Sequence, residues 1–350
     1  MAKLLAIRFS ALGDVAMTVP VLYAFAEAYP EHQLVVLSRS AWAPFFQYAP
    51  SNLIFRGIDL KAYAGIKGLS RLYRELYNEH FDAVADLHDV LRTKYLRWRF
   101  RLSGVPVSVI DKGRKEKRRL TLCKKKVLKQ LPTSFERYQA VFRKLGYSFP
   151  CQFRSLYGSG RGDRRLFEVL GIEKNNDCWV GIAPFAAHQG KIYPLELQEE
   201  VVRELSAKER ICIFLFGGGN REKEILDGWA ARYPHVVSVV GKLKMEGELA
   251  LMSWLDVMVA MDSGNMHLAS LVGTPVVSVW GATHPYAGFM GWQQSEERAV
   301  QIDLPCRPCS IYGNKPCLRG DYACLKGISP LQLVEQVLVI YNDCMSCSRL

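Results

Sequence analysis

The sequence predicts an α/β protein built from two open parallel sheets in tandem, and three observations carry that expectation. Short runs of β-branched and other apolar residues alternate with segments of helical period through most of the chain, the pattern of parallel strands joined by crossover helices. At 350 residues the chain exceeds the size at which a single hydrophobic core stops growing, so two domains are expected. Midway along, the periodicity lapses and glycine accumulates at Gly158, Gly160 and Gly162, which marks a junction.

Taken in order, strands are predicted over residues 4–9, 34–38, 54–55, 83–86 and 107–110, with a helix over 65–78, giving an N-terminal domain of residues 1–155. A linker follows over 156–176. Strands over 179–183, 211–216, 236–240, 257–261 and 276–280, with helices over 195–206 and 221–233, give a second domain of residues 177–327. A last amphipathic segment over 328–342 is predicted to be a closing helix that packs back on the first domain.

Composition narrows the function classes. Hydrophobic residues make up 49% and charged residues 23%, ordinary globular usage that argues against long disordered tracts. Arg8 interrupts the opening run too early for a secretory core, so a cytoplasmic protein is expected. No apolar run approaches the roughly 18–20 residues of a membrane span. A net charge of +12 points to an anionic partner: nucleic acid, phospholipid headgroups or phosphorylated substrates.

Ligands of open parallel sheets bind beyond the carboxyl ends of the strands, which directs attention to four loops. The first strand runs into Phe9-Ser10-Ala11-Leu12-Gly13-Asp14, with Asp14 at a helix entrance, where capping is the simplest use of a carboxylate. Val257-Met258-Val259-Ala260-Met261 runs into Asp262-Ser263-Gly264 and then a helix carrying His267. Free backbone N–H groups and the helix dipole converge there, which suits phosphate, although capping by Asp262 or Ser263 and a packed His267 describe it equally well. Lys191, in His188-Gln189-Gly190-Lys191-Ile192-Tyr193-Pro194, could neutralise a diphosphate. Phe216-Gly217-Gly218-Gly219-Asn220-Arg221-Glu222 lacks the spacing of a dinucleotide fingerprint, and Glu222 is a candidate for a ribose or base edge.

Three of these segments carry a resemblance. Arg8-Phe9-Ser10-Ala11-Leu12-Gly13-Asp14-Val15, Lys191-Ile192-Tyr193-Pro194 and Asp262-Ser263-Gly264-Asn265-Met266-His267-Leu268-Ala269, in that order and spacing, resemble glycosyltransferase family nine, the ADP-heptose:lipopolysaccharide heptosyltransferases. The resemblance implies a GT-B architecture, two Rossmann-like domains with parallel sheets facing across a cleft. It implies an inverting, metal-independent transfer of a heptose or related sugar from an ADP-sugar donor to a lipid-linked saccharide such as lipopolysaccharide core, with no cofactor. Carried over residue by residue, Asp14 is the general base, Lys191 and the Ser263-Gly264 helix start hold the donor diphosphate, Asp262 and His267 support that loop, and Glu222 lies near the ribose. Tyr193 stands where relatives often carry tryptophan, and Phe185-Ala186-Ala187-His188 departs from the commoner small-polar loop. The chemistry suits these residue types: a hydroxyl acidifies as its bond to C1 forms, so a well-placed carboxylate with a pKa of about 3.9 can take its proton.

The stretch that begins at Arg92 and ends at Lys129 holds about fifteen Lys or Arg residues against Asp111 and Glu116, interleaved with Tyr95, Trp98 and Phe100. Peripheral contact with an anionic inner leaflet, where a membrane-embedded glycolipid acceptor would be held, is favoured over nucleic acid, because no nucleic-acid module is recognisable. Cys306-Arg307-Pro308-Cys309, with Cys317 and Cys324, could hold a structural zinc, but the irregular later spacing favours core or free thiols. Cys344 and Cys347 have no assignable role. A nucleotide-sugar hydrolase or epimerase on the same scaffold is the alternative enzyme.

Overall fold

The computed structural model describes residues 1–175 and 177–347, with side chains as far as residue 342. Two compact units emerge: residues 1–114 with 132–156, and residues 115–131 with 157–350. Cys344 and Cys347 fall outside the described side chains.

In the first unit the strands are β1 (Lys3–Ile7), β2 (Gln33–Arg39), β3 (Leu53–Ile58), β4 (Ala83–Asp86) and β5 (Val107–Val109). Their spatial order is β3-β2-β1-β4-β5, every pair parallel, with Leu4 opposite both Leu34 and Ala83. The helices are α1 (Leu12–Ala16), α2 (Val19–Ala28), α3 (Gly65–Tyr77) and α4 (Leu91–Leu102); α5 (Arg114–Leu120) starts at the end of the unit's first segment and runs into the second unit, and α6 (Ser134–Arg143) follows once the first unit resumes at Pro132. Strands covered on both faces must be apolar throughout, and β1 and β4 are buried almost end to end. Leu5, Ile7, Val35, Val84, Leu72, Leu76, Leu96 and Phe100 form the core on one face of the sheet.

The second unit repeats the plan with β6 (Cys178–Ala183), β7 (Ile211–Leu215), β8 (Val236–Ser238), β9 (Val257–Met261), β10 (Val276–Val279) and β11 (Ala299–Val300), ordered β11-β10-β9-β6-β7-β8 and parallel throughout. Its helices are α7 (Leu195–Ser206), α8 (Gly219–Arg232), α9 (Met245–Met252), α10 (Gly264–Leu271), α11 (Ala323–Lys326) and α12 (Pro330–Cys347). In each sheet the chain winds outward one way and then returns to wind the other, so the order reverses between β1 and β4 in one unit and between β6 and β9 in the other. At such a reversal the flanking crossovers leave on opposite faces and open a crevice beyond the strand ends.

Three boundary expectations are corrected. Residues 115–131, assigned from sequence to the first domain, belong to the second unit: Leu131 N–H donates to Tyr286 O at 3.0 Å, and Lys126 Nζ donates to Pro305 O at 3.2 Å and Arg307 O at 2.7 Å. The expected linker over 156–176 falls, from Tyr157 onward, within the second unit. Gly162 N–H donates to Ser253 Oγ at 2.8 Å, and a Cβ on Gly162 would stand 2.5 Å from Ala250 Cα, so only glycine permits that approach. The closing helix α12 places Leu333, Val334, Val337 and Ile340 in the core of the second unit, beside α7, because its apolar face finds the uncovered side of that sheet. Among the described residues no helix is long and apolar enough to cross a membrane.

Candidate active site

Sequence-predicted residues lie beyond the reversal point of each sheet. In the first unit, Phe9 leads from β1 into α1, where Asp14 occupies the third helical position. Its Oδ2 accepts from Ala11 N–H at 3.3 Å, the reach-back expected of a capping carboxylate, but the stronger partner is Arg8, whose Nη2 lies 2.7 Å away. Both contacts fall on Oδ2, and the side chain remains 37% exposed. The Arg8 guanidinium is buried and fixed elsewhere too, donating from Nε to Ser10 O at 2.9 Å and from Nη1 to Leu87 O at 2.6 Å. A buried cation needs such partners to offset lost hydration.

The other wall of this crevice, the loop after β4, went unread in the sequence. Asp86, fully buried at the end of β4, accepts from the N–H groups of His88 and Asp89 at 2.9 Å each and from Arg97 Nη1 at 3.1 Å. This turns the backbone so that His88 meets the β1 loop, Nδ1 facing Phe9 N–H and Nε2 facing the Ser10 hydroxyl, both at 3.4 Å. Burial, then the nearby charges of Arg8 and Lys112, pushes the His88 imidazole down to about 4, so it is neutral at pH 7. The strand-end rule that selected Asp14 would have selected Asp86 and His88 had it been applied to every strand.

In the second unit, the loop after β6 tightens into a 3-10 turn, Gln189–Lys191, that aims Lys191 at the end of β9. Lys191 Nζ lies 3.0 Å from Asp262 Oδ2, with Asp262 only 3% exposed. Gly313 makes room for the lysine stem: its φ is +72°, and a Cβ would sit 2.6 Å from Lys191 Cγ. The turn is held by Gly190 N–H donating to Gly313 O at 3.3 Å and by Ala282 N–H donating to Gly190 O at 2.8 Å. Arg307 in turn fixes the loop after β10, donating to Gly281 O at 2.6 Å, Thr283 O at 3.0 Å and Gln301 Oε1 at 2.9 Å.

Beyond β9, Ser263 takes the N-cap position of α10 in extended conformation, yet its hydroxyl does not cap the helix and is buried without a hydrogen-bond partner. Simple capping therefore does not describe this turn. The first N–H groups of α10, starting at Gly264, form a positive helix end beside the Lys191–Asp262 pair, with His267 buried one turn on. Such an end accommodates an anion.

Glu222 stands apart from this pair, in the first turn of α8, where Oε2 accepts from Gly218 N–H at 2.7 Å. It lines a cavity of about 520 Å³ together with Gln189, Tyr193, Arg221, Tyr322 and Lys326, in which neither Lys191 nor Asp262 takes part. Tyr193 is fully buried and donates from its hydroxyl to Ile328 O at 2.7 Å, a contact that tryptophan would not reproduce. The structure thus brings Lys191, Asp262, Ser263, Gly264 and His267 to one crevice, puts Glu222 in a neighbouring cavity, and keeps Asp14 with Arg8 and His88 in the other unit.

A family model, glycosyltransferase family 9 (heptosyltransferase), matches residues 69–317. The chain belongs to that family. Lipooligosaccharide heptosyltransferase 2 of Campylobacter jejuni subsp. jejuni serotype O:6 is 23% identical over 338 residues, covering 93% of this chain and 95% of the relative. Among solved structures, the glycosyl transferase family 9 member from Veillonella parvula superposes with a TM-score of 0.74 at 19% identity, covering 98% of both chains. The E. coli heptosyltransferase WaaC with ADP-2-deoxy-2-fluoro heptose does so with a TM-score of 0.64 at 18% identity, covering 96% of this chain and 98% of the other. Family membership makes the chain a glycosyltransferase, and the GT-B class expected from the motifs holds.

The cysteines of the 306–324 segment are free thiols, and among the described residues no three potential ligands are placed to hold a metal ion. Burial pushes Cys324 up to about 11 and raises Cys309. Burial opposes ionisation of Cys317 as well, but the backbone N–H groups of Tyr322, Arg319, Gly320 and Asp321 outweigh it and hold that thiol below its ordinary value.

Proposed function

We propose that this glycosyltransferase moves a heptose from an ADP-sugar to a lipid-linked saccharide, such as lipopolysaccharide core, with inversion at C1 and without a metal ion. The observation that carries the donor side is the Lys191–Asp262 pair beside the uncapped start of α10: a partly exposed cation, held by a buried carboxylate, and a helix N-terminus at one sheet reversal suit a diphosphate. The ADP-2-deoxy-2-fluoro heptose bound to E. coli WaaC supports adenine as the base of the donor here. Glu222, which lines the neighbouring cavity, would accept from ribose hydroxyls.

In the reaction, the acceptor oxygen forms a bond to C1 as the bond from C1 to the diphosphate oxygen breaks on the opposite face. The proton of the acceptor hydroxyl passes to the Asp14 carboxylate, and the diphosphate leaves with the bonding electrons. Arg8 holds one Asp14 oxygen and fixes the direction of the other, so position rather than basicity does the selecting. Charge growing on the leaving diphosphate is met by Lys191 and the α10 N–H groups, a field already in place before reaction. Asp262 and His267 orient that turn.

The glycolipid acceptor places the protein at the cytoplasmic face of the inner membrane, and the cationic surface suits an anionic leaflet better than nucleic acid. Thermal shift with a panel of nucleotide sugars tests the donor, since a ligand of the native state raises its stability: ADP-linked sugars should stand out. Incubation with ADP-heptose and no acceptor tests the reaction class. Rapid release of free sugar, or conversion to an epimer, would replace the transferase reading with a hydrolase or epimerase.

A further inference from the structure

The 92–129 stretch is not one basic face. Its cations divide between units, and several are consumed internally: Arg97 by Asp86 and Asp89, Lys112 and Arg114 by Asp89, Lys117 over the Phe289 ring, and Lys126 by two carbonyls. What remains on α4 has a definite pattern. Thr93, Leu96 and Phe100 form its buried side. On the opposite side Leu91 is 84%, Trp98 54% and Leu102 67% exposed.

At about 100° per residue, positions 91, 98 and 102 fall within roughly 20° of one line along the helix. Lys94 and Arg101 flank that line on one side, Arg92 and Arg99 on the other, and α4 carries no acidic residue. The neighbouring α3 is tied alongside by Ser70 Oγ and the Tyr95 hydroxyl at 2.6 Å, and it adds an exposed Ile66 (73%) with Lys67 and Arg74, while its Arg71 is held by Ala62 O and Glu75. The acidic residues nearby are paired, Glu75 with Arg56 and Arg71 while accepting from the Tyr63 hydroxyl, and Glu79 with Lys3 and Arg56. Apolar side chains exposed in a row between two cationic rows are unfavourable in water and match one environment, the boundary between anionic headgroups and acyl chains.

We propose that the outer face of α4, with α3 beside it, docks on an anionic lipid surface, Leu91, Trp98 and Leu102 entering the acyl boundary while Lys94, Arg101, Arg92 and the α3 cations contact headgroup phosphates. The inference deepens the membrane-held acceptor reading by naming the surface, and it assigns none of the docking to residues 115–131.

The test is co-sedimentation of the full-length protein with vesicles of phosphatidylglycerol and phosphatidylcholine, or of phosphatidylcholine alone, both free of glycolipid and of nucleotide sugar. The native protein binds the anionic vesicles, and binding weakens with salt. Trp98→Ala with Leu102→Ser weakens it roughly tenfold through lost apolar contact. Lys94→Glu with Arg101→Glu weakens it by at least roughly twentyfold, since each cation near such a surface is worth about fivefold. Val169→Ser, a change at an equally exposed apolar residue of the other unit, leaves binding unchanged. Unaltered vesicle binding by both double variants, or binding of a single-stranded RNA oligonucleotide in preference to anionic vesicles, overturns the proposal. Because donor and acceptor are absent, failure here is separable from failure of the transfer reaction; a positive result stands even if the donor is another sugar.

Discussion

Lys191 Nζ stands 3.0 Å from Asp262 Oδ2, so a cation from the loop after β6 meets an anion at the end of β9, where the strand order of the second sheet reverses. Two largely buried charges so close are each other's main compensation for lost hydration. Removing one leaves the other stranded. An arriving diphosphate would share the lysine rather than find it free, which holds the ammonium in place before the ligand binds.

Lys191→Met should therefore lower stability by about 3 kcal/mol and abolish measurable ADP binding. Adding Asp262→Asn removes the stranded charge and should restore most of the stability in a denaturant titration, but calorimetry should still detect no ADP. ADP affinity at the native level in the double variant would take Lys191 out of the donor site.

Asp14→Asn keeps the shape of the side chain while removing its capacity to accept a proton. Turnover should fall by about 10² to 10⁴, with ADP-sugar affinity within about twofold of native. Steady-state rates and equilibrium binding measured on one preparation separate the two effects. Unchanged turnover would remove Asp14 from the chemistry.

His88 makes stability depend on pH with a definite sign. Its value is about 4 in the folded state, below the ordinary 6.5, so between those limits the unfolded chain binds a proton that the native state refuses. The native state is thus fully favoured above pH 6.5 and loses on the order of 3 kcal/mol as pH falls to 4. His88→Gln should flatten that part of the profile in thermal unfolding from pH 7 to 4; an equally steep loss in the variant would locate the titration elsewhere.

Metal removal offers a direct test of the electrostatic account. If Lys191 and the α10 N–H groups supply the field for the leaving diphosphate, millimolar chelator should leave the rate within about twofold. Loss of activity that magnesium or manganese restores would show that the protein groups alone do not suffice.

Tyr193→Phe should cost about 1–2 kcal/mol, because it leaves Ile328 O without the hydroxyl that donates to it in the core. Denaturant midpoints read this directly. A neutral result would mean that the carbonyl finds another donor.

The sequence by itself settled the class of fold and the place to look. Apolar runs of strand length separated by helical periods leave little choice but parallel sheets, and the ends of those strands contain Asp14, Lys191 and Asp262 to His267. It also carried the family, because three motifs in order are a local signal. What it could not supply were partners distant along the chain. Arg8 beside Asp14 lay within one motif, but the second wall formed by Asp86 and His88 depends on β4 pairing with β1, 79 residues away in the case of the Phe9–His88 contact.

The cations between Arg92 and Lys129 show the same division. Composition could only suggest an anionic partner, whereas folding decided which charges Asp86, Asp89 and backbone carbonyls consume and which α4 presents outward. Likewise the amphipathic pattern of α12 foretold a packed helix, and only the exposed side of the second sheet determined where it packs. Periodicity records which face of an element is apolar; the surface that covers that face is fixed by chain topology, and topology brings together residues that no local pattern relates.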